Sequence, residues 1–176
     1  EFIGLTGSLA ALPLLPFSNA TRGQITLVVD PNDPVANAAS VQWALRELEQ
    51  SLSRFNLEVR RSGTLPKAVH DDFVIVSAGA QSTAAKQILK RSGVVVASVP
   101  ESLALVPAKD NVLLACGSDA RGLVYALLEL SDRLNNTTIS DFPRDNLFKL
   151  SPPISEQPAN SIRSVLRLFA SDVEDK

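Results

Sequence analysis

Methionine is absent from the 176 residues, and cysteine, histidine, tryptophan and tyrosine occur once each. A single cysteine excludes an internal disulfide framework, and one cysteine with one histidine excludes a metal site built on those ligands. No long basic run is present: 17 Lys and Arg stand against 19 Asp and Glu, a net charge of -2. That balance lacks the Lys/Arg footprint of a nucleic-acid-binding domain, so no nucleic-acid partner is expected. The phosphate-cradling patterns G-x-x-x-x-G-K-[ST] and G-x-G-x-x-G are missing, as is the G-x-S-x-G of a nucleophile elbow, and no cofactor is expected. With no methionine and a polar end after Asp172, the chain is expected to be a piece of a longer protein.

What is present is a globular composition, 45% hydrophobic and 20% charged, in a length that suits one domain. Residues 1–20 differ from the rest. Their apolar run is broken by Gly4, Gly7, Pro13 and Pro16 and ends in small residues at Ser18, Asn19 and Ala20. It is too short and too broken to span a bilayer, which takes about 20 apolar residues. It reads as the hydrophobic and cleavage regions of an export signal, cut after Ala20. Residues 1–5 resemble the stretch immediately after the paired arginines of a twin-arginine signal. The expected location is periplasmic or extracellular.

From residue 24 onward the chain alternates. Residues 24–30 are β-branched and bounded by Gly23 and Pro31, a strand. Asp33 and Pro34 suit the start of a helix, and Ala38, Val41, Leu45, Leu48, Leu52 and Phe55 carry its apolar stripe to about residue 54. Strands are expected at 57–60 and 73–77, and a helix over 81–91. Residues 93–97 are ambiguous between a strand and a buried connection. Residues 102–106 and 111–116 read as an antiparallel hairpin, and 119–134 as the strongest helix. The stretch 135–160, rich in Asn, Pro, Ser and Asp, reads as a connection, and 162–169 as one more strand. The fold class is α/β (α+β): a mixed β-sheet packed against two to three helices, with Leu45, Leu48, Val74, Val76, Leu113, Leu123 and Leu127 in its core.

Candidate chemistry is sparse. Ser118 to Gly122 lie where a strand turns into a helix, a position that can hold an anion. Capping by Ser118 or Asp119, with Gly122 allowing close approach to the sheet, explains the same residues. The acid pairs Asp71–Asp72, Glu47–Glu49 and Asp172 with Glu174 and Asp175 read as solvated surface, and the lone Cys116 as buried packing. His70 lacks a metal-binding partner. Trp43, among polar helix neighbours, is either partly exposed core or an interdomain anchor.

Residues 101–106 and 111–132 resemble an accessory domain: the N-terminal α/β domain that precedes the (β/α)8 barrel in β-N-acetylhexosaminidases and α-glucuronidases. Members show E-S-[YF]-x-L in one strand, G-x-D-x-R-G after its antiparallel partner, then a helix. Gly117, Asp119, Arg121, Gly122, Tyr125 and Leu130 match the second half, whereas Leu103 replaces the usual aromatic. The resemblance covers about residues 24–134 and is strongest over 101–134; its motifs mark a structural turn, not a catalytic site. Residues 161–172 are similar to the first barrel strand, where an Arg lies near the sugar; Arg163 or Arg167 corresponds to it.

The resemblance implies four parts: a signal at 1–20, an accessory domain at 21–134, a connection at 135–160 and the start of a catalytic barrel at 161–176. It implies an exported glycoside hydrolase acting on carbohydrate, with the barrel of the same chain as the domain's partner and the catalytic carboxylates beyond Lys176. The alternative is a free-standing periplasmic module that binds a sugar or anion at Ser118–Gly122.

Overall fold

The computed structural model describes residues 24–55, 57–66, 73–109, 111–137 and 150–160. Residues 1–20, read above as an export signal, the acids Asp71, Asp72, Asp172, Glu174 and Asp175, His70, and the segment expected to be a strand with Arg163 and Arg167 lie outside the described residues.

Six strands form one sheet: β1 (Gln24–Val28), β2 (Glu58–Ser62), β3 (Phe73–Gly79), β4 (Leu103–Ala108), β5 (Val112–Gly117) and β6 (Ile154–Glu156). They lie side by side in the order β2-β1-β3-β5-β4-β6. The pairs β1–β2, β1–β3 and β3–β5 are parallel, whereas β4 runs antiparallel to both β5 and β6. The mixed sheet expected from the sequence is therefore present. Its central strand, β3, is buried along its whole length, as a strand covered on both faces must be.

Three helices among the described residues cover the two faces: α1 (Ala39–Ser53), α2 (Thr83–Ser92) and α3 (Ala120–Asn135). Strand alternation sends Ile25, Leu27, Ile75 and Leu113 to one side, against Leu45, Leu48 and Leu52 of α1 and Leu123, Leu127 and Leu130 of α3. Val74, Val76, Leu114 and Cys116 point the other way, against Ala85, Ile88 and Leu89 of α2. All seven residues expected in the core are buried.

Two local expectations change, at the start of α1 and in the connection, and the structure settles two details, at 93–97 and at the start of the hairpin. Helix α1 does not start at Pro34. The chain makes turns over 34–37, and Ala38, extended at ψ 143°, precedes the helix without a side-chain cap. Asp33 instead caps that turn, accepting from the Val35 and Ala36 N–H groups. Residues 93–97 form no strand: Val94 and Val96 lean on the α2-side core while Val95 is 81% exposed. The hairpin strand starts at Leu103, and Glu101 lies in the turn before it. The second changed expectation is β6, which lies inside the span read as a connection and extends the sheet beyond β4.

Candidate functional site

The residues that carry the sequence signature meet where β5 turns into α3. Asp119 is the N-cap of α3; its Oδ1 accepts from Gly122 N–H at 2.8 Å and its Oδ2 from Glu101 N–H at 3.2 Å. Ser118 N–H donates to Ser102 O at 2.9 Å, and Ser102 N–H donates back to Ser118 Oγ at 3.1 Å. Ser118 Oγ in turn donates to Val99 O at 2.7 Å. The hydroxyl and the carboxylate thus tie the helix start to the turn before β4.

Glycine is required twice here, for space. A Cβ on Gly122 would stand 2.2 Å from Ser102 O, and one on Gly117 would stand 2.1 Å from Leu123 N. Both neighbours are backbone and cannot rotate away. The two glycines let strand, helix and turn lie in direct contact. Glu101 sits in the left-handed region at φ 66°, which is costly for a residue with a side chain. The Asp119 bond to its N–H and the Arg121 guanidinium, 3.2 Å from its Oε1, hold it there. The motif glutamate serves a strained turn.

This geometry bears on anion binding. A helix N-terminus attracts anions because its first N–H groups lack partners. At α3 a carboxylate of the chain itself already occupies that position, and the Ser118 hydroxyl is used internally. An external anion would have to displace Asp119 while keeping company with its charge.

In an open α/β sheet, ligands favour the crevice at the strand C-termini where the order reverses, here between β1 and β3. A cleft of about 350 Å³ lies there, lined by Asp30, Asn32, Asp33, Gly79, Gln81 and Ser82 among others. Asp30, Asn32 and Gln81 are exposed there, whereas Asp33 and Ser82 serve the fold. Asp33, 7% exposed, takes the Gly79 N–H at 2.6 Å, and Ser82 Oγ caps α2 by accepting from Ala85 N–H at 3.2 Å. Val35 lies so close to Gly79 that a Cβ there would meet it at 2.9 Å.

A second groove, about 380 Å³, runs along the other end of the sheet, between α3 and strands β4 and β6. Leu103, Tyr125, Leu128, Ile154 and Pro158 give it apolar walls, while Glu101, Glu129, Asp132 and Glu156 supply acid. Sequence reasoning missed this groove. Tyr125, matched in the sequence only as part of the motif, stands 42% exposed on its wall.

Elsewhere the acids serve the fold: Glu49 pairs with Arg61, and Glu129 with Arg133. Cys116 is fully buried, and burial pushes its thiol up to about 12 against a weaker opposing hydrogen bond with the Ala104 backbone. Trp43 is 45% exposed. Among the described residues no group of three His, Cys, Asp or Glu side chains could hold a metal ion, and no helix is long and apolar enough to cross a membrane.

No protein-family model and no curated protein matches the chain. Among solved structures it is similar to a GH138 enzyme targeting pectin rhamnogalacturonan II, at TM-score 0.47 and 18% identity. It is also similar to a family GH115 4-O-methyl-alpha-glucuronidase with specificity for decorated arabinogalactans, at TM-score 0.45 and 18% identity, and to CpGH84D, at 0.48 and 14%. The matches cover 77%, 66% and 65% of this chain but 15%, 14% and 18% of those three chains.

Proposed function

We propose that the chain is the non-catalytic N-terminal accessory domain of an exported glycoside hydrolase. In this reading residues 1–20 direct export, 21–134 are the accessory domain, 135–160 lead onward with β6 added to the sheet, and 161–176 open a catalytic (β/α)8 barrel. One observation carries the reading. The residues of the turn that resembles this accessory domain, Gly117, Asp119, Arg121 and Gly122, are engaged in holding β5, α3 and Glu101 together.

The chemistry agrees. Glycoside hydrolysis takes an acid and a second carboxylate about 5 to 10 Å apart across a cleft that admits the sugar. Asp33 and Asp119 are spent on backbone N–H groups, and Glu49 is held by Arg61. In this reading the catalytic carboxylates belong to the enzyme C-terminal to Lys176.

Arg163 and Arg167 are the residues of this chain proposed to reach carbohydrate, through charge-assisted hydrogen bonds to hydroxyls or a carboxylate. The test is the complete enzyme carrying Arg163→Ala or Arg167→Ala, assayed on a panel of aryl glycosides. Loss of kcat/KM in at least one variant is expected; wild-type values in both refute the sugar contact. Export is tested by N-terminal sequencing of the secreted form, expected to begin after Ala20; a mature form that keeps Phe2 to Phe17 contradicts the cleavage.

A further inference from the structure

We propose that the outer face of α2, with Val95 just beyond it, docks onto an anionic lipid bilayer. Helix α2 turns Ala85, Ile88 and Leu89 to the sheet and leaves Lys86, Gln87, Lys90 and Arg91 exposed. Lys86 and Lys90 share one stripe at i and i+4, about 6 Å apart along the axis, and Arg91 lies on the adjoining stripe. No acid occurs between Phe73 and Pro100, and none of the three cations forms an ion pair among the described residues. The sheet beneath offers only apolar neighbours, among them Val74, Val76, Val106 and Leu114. The face therefore carries charge of one sign.

Lys90 and Arg91 also suit the last turn of a helix, where cations complement the dipole. That does not account for Lys86, in the first half of α2, or for Val95, which is 81% exposed. Val95 is held outward by the backbone. Gly93, left-handed at φ 69°, closes α2 by donating to Leu89 O, and Val94 N–H donates to the same carbonyl at 3.2 Å. Val94 and Val96 lean on the α2-side core, so Val95 between them points away from it. Ser155 Oγ donates to Val95 O at 2.9 Å and pins the chain there. An apolar side chain is thus presented to solvent just beyond three cations.

Cations alone would suit any polyanion. The presented valine selects a surface with an apolar phase beneath its charge, which a polysaccharide lacks. Lys86, Lys90, Arg91 and Val95 line neither cleft described above, and a helix face without a groove meets a flat surface better than it holds a peptide. Each cation at an anionic bilayer strengthens binding about fivefold, and burying the valine about tenfold, roughly a thousandfold together. Such a contact is weak and reversible. It uses described residues alone and leaves Arg163 and Arg167 to the role proposed above.

Sedimentation of the 176-residue chain with vesicles tests it. The chain is expected to bind vesicles of phosphatidylglycerol and phosphatidylcholine in about 0.1 M salt, to bind phosphatidylcholine alone far more weakly, and to be released in about 1 M salt, where the screening length falls to about 3 Å. Lys90→Glu should weaken binding at least about fivefold, whereas Arg46→Glu, the same charge change on the exposed side of α1, should leave it unchanged. Val95→Ser should weaken it about tenfold without altering the salt response. All these side chains are exposed, so the fold is retained. The proposal is overturned by absent binding to the anionic vesicles, by equal binding to phosphatidylcholine alone, or by equal effects of Lys90→Glu and Arg46→Glu. Tighter binding to soluble polygalacturonate, indifferent to Val95→Ser, would assign the face to an acidic polysaccharide and also overturn it.

Discussion

Replacing Gly122 by alanine separates close packing from helix propensity, because the two predict opposite signs. Gly122 lies in the first turn of α3, where alanine is intrinsically favoured by about 1 kcal/mol. Propensity alone therefore predicts a gain. Packing predicts the reverse, because the added Cβ would stand 2.2 Å from Ser102 O and 3.1 Å from Glu101 C. Ordinary carbon contacts begin at about 3.5 Å, so helix and turn must separate by roughly 1 Å. That movement stretches the Ser118 N–H bond to Ser102 O, now 2.9 Å, and the Glu101 N–H bond to Asp119, now 3.2 Å. Overpacking costs about 1 to 3 kcal/mol and each weakened hydrogen bond about 1, so the net loss after the propensity gain is about 2 to 4 kcal/mol. In a chain of this size that lowers Tm by roughly 4 to 16 °C. Urea unfolding followed by circular dichroism measures the loss directly. Gly93→Ala is the control: its φ is 69° and nothing lies within 4 Å of the added Cβ. It should cost only the left-handed penalty of about 1 to 2 kcal/mol. A Gly122→Ala chain as stable as wild type, or more so, refutes the close-packing argument.

Three further outcomes rest on the same contacts. Asp119→Ala removes the α3 cap and the tie to the Glu101 N–H, and should lower stability in the same unfolding assay by about 1 to 3 kcal/mol. Leu127→Ala, at a fully buried site between α3 and the sheet, should cost about 2 to 5 kcal/mol; a loss under about half a kcal/mol contradicts its core position. Cys116 should resist thiol reagents at pH 8 until the chain unfolds, since burial keeps it protonated up to about pH 12. The unfolded thiol ionises near its ordinary value of 9.0, so the contribution is intact below pH 9 and is lost as pH rises from 9 toward 12. The unfolding free energy from urea titration should therefore fall more steeply with pH in the wild type than in Cys116→Ala, by up to about 1.4 kcal/mol per pH unit; equal slopes contradict the burial argument.

Periodicity exposed the elements whose faces are buried. Val41, Leu45, Leu48 and Leu52 announced α1, the unbroken run from Phe73 announced a central strand, and the paired runs around residues 107–110 announced the β4–β5 hairpin. Strand β6 was not legible because it contributes three residues with one apolar side chain, and is recruited through backbone pairing with β4. The start of α1 was misread because Asp33 and Pro34 look local, whereas Asp33 also serves Gly79, 46 residues away. The left-handed turn at Glu101 depends on Asp119 and Arg121, 18 and 20 residues further on. The sequence motif pointed to this turn but could not reveal that its residues bind one another. The acidic groove brings β4, α3 and β6 together, and no local pattern encodes such an assembly.

The most direct test of the proposed role compares glycosidase activity in two proteins, the 176-residue chain and the full-length product of the same gene. Both are assayed on one panel of aryl glycosides and uronides. The account predicts turnover of at least one substrate by the full-length protein and none by the 176-residue chain, because the proposed reading puts the catalytic carboxylates C-terminal to Lys176. Turnover by the isolated chain, or a full-length protein inactive on every glycoside, would contradict it.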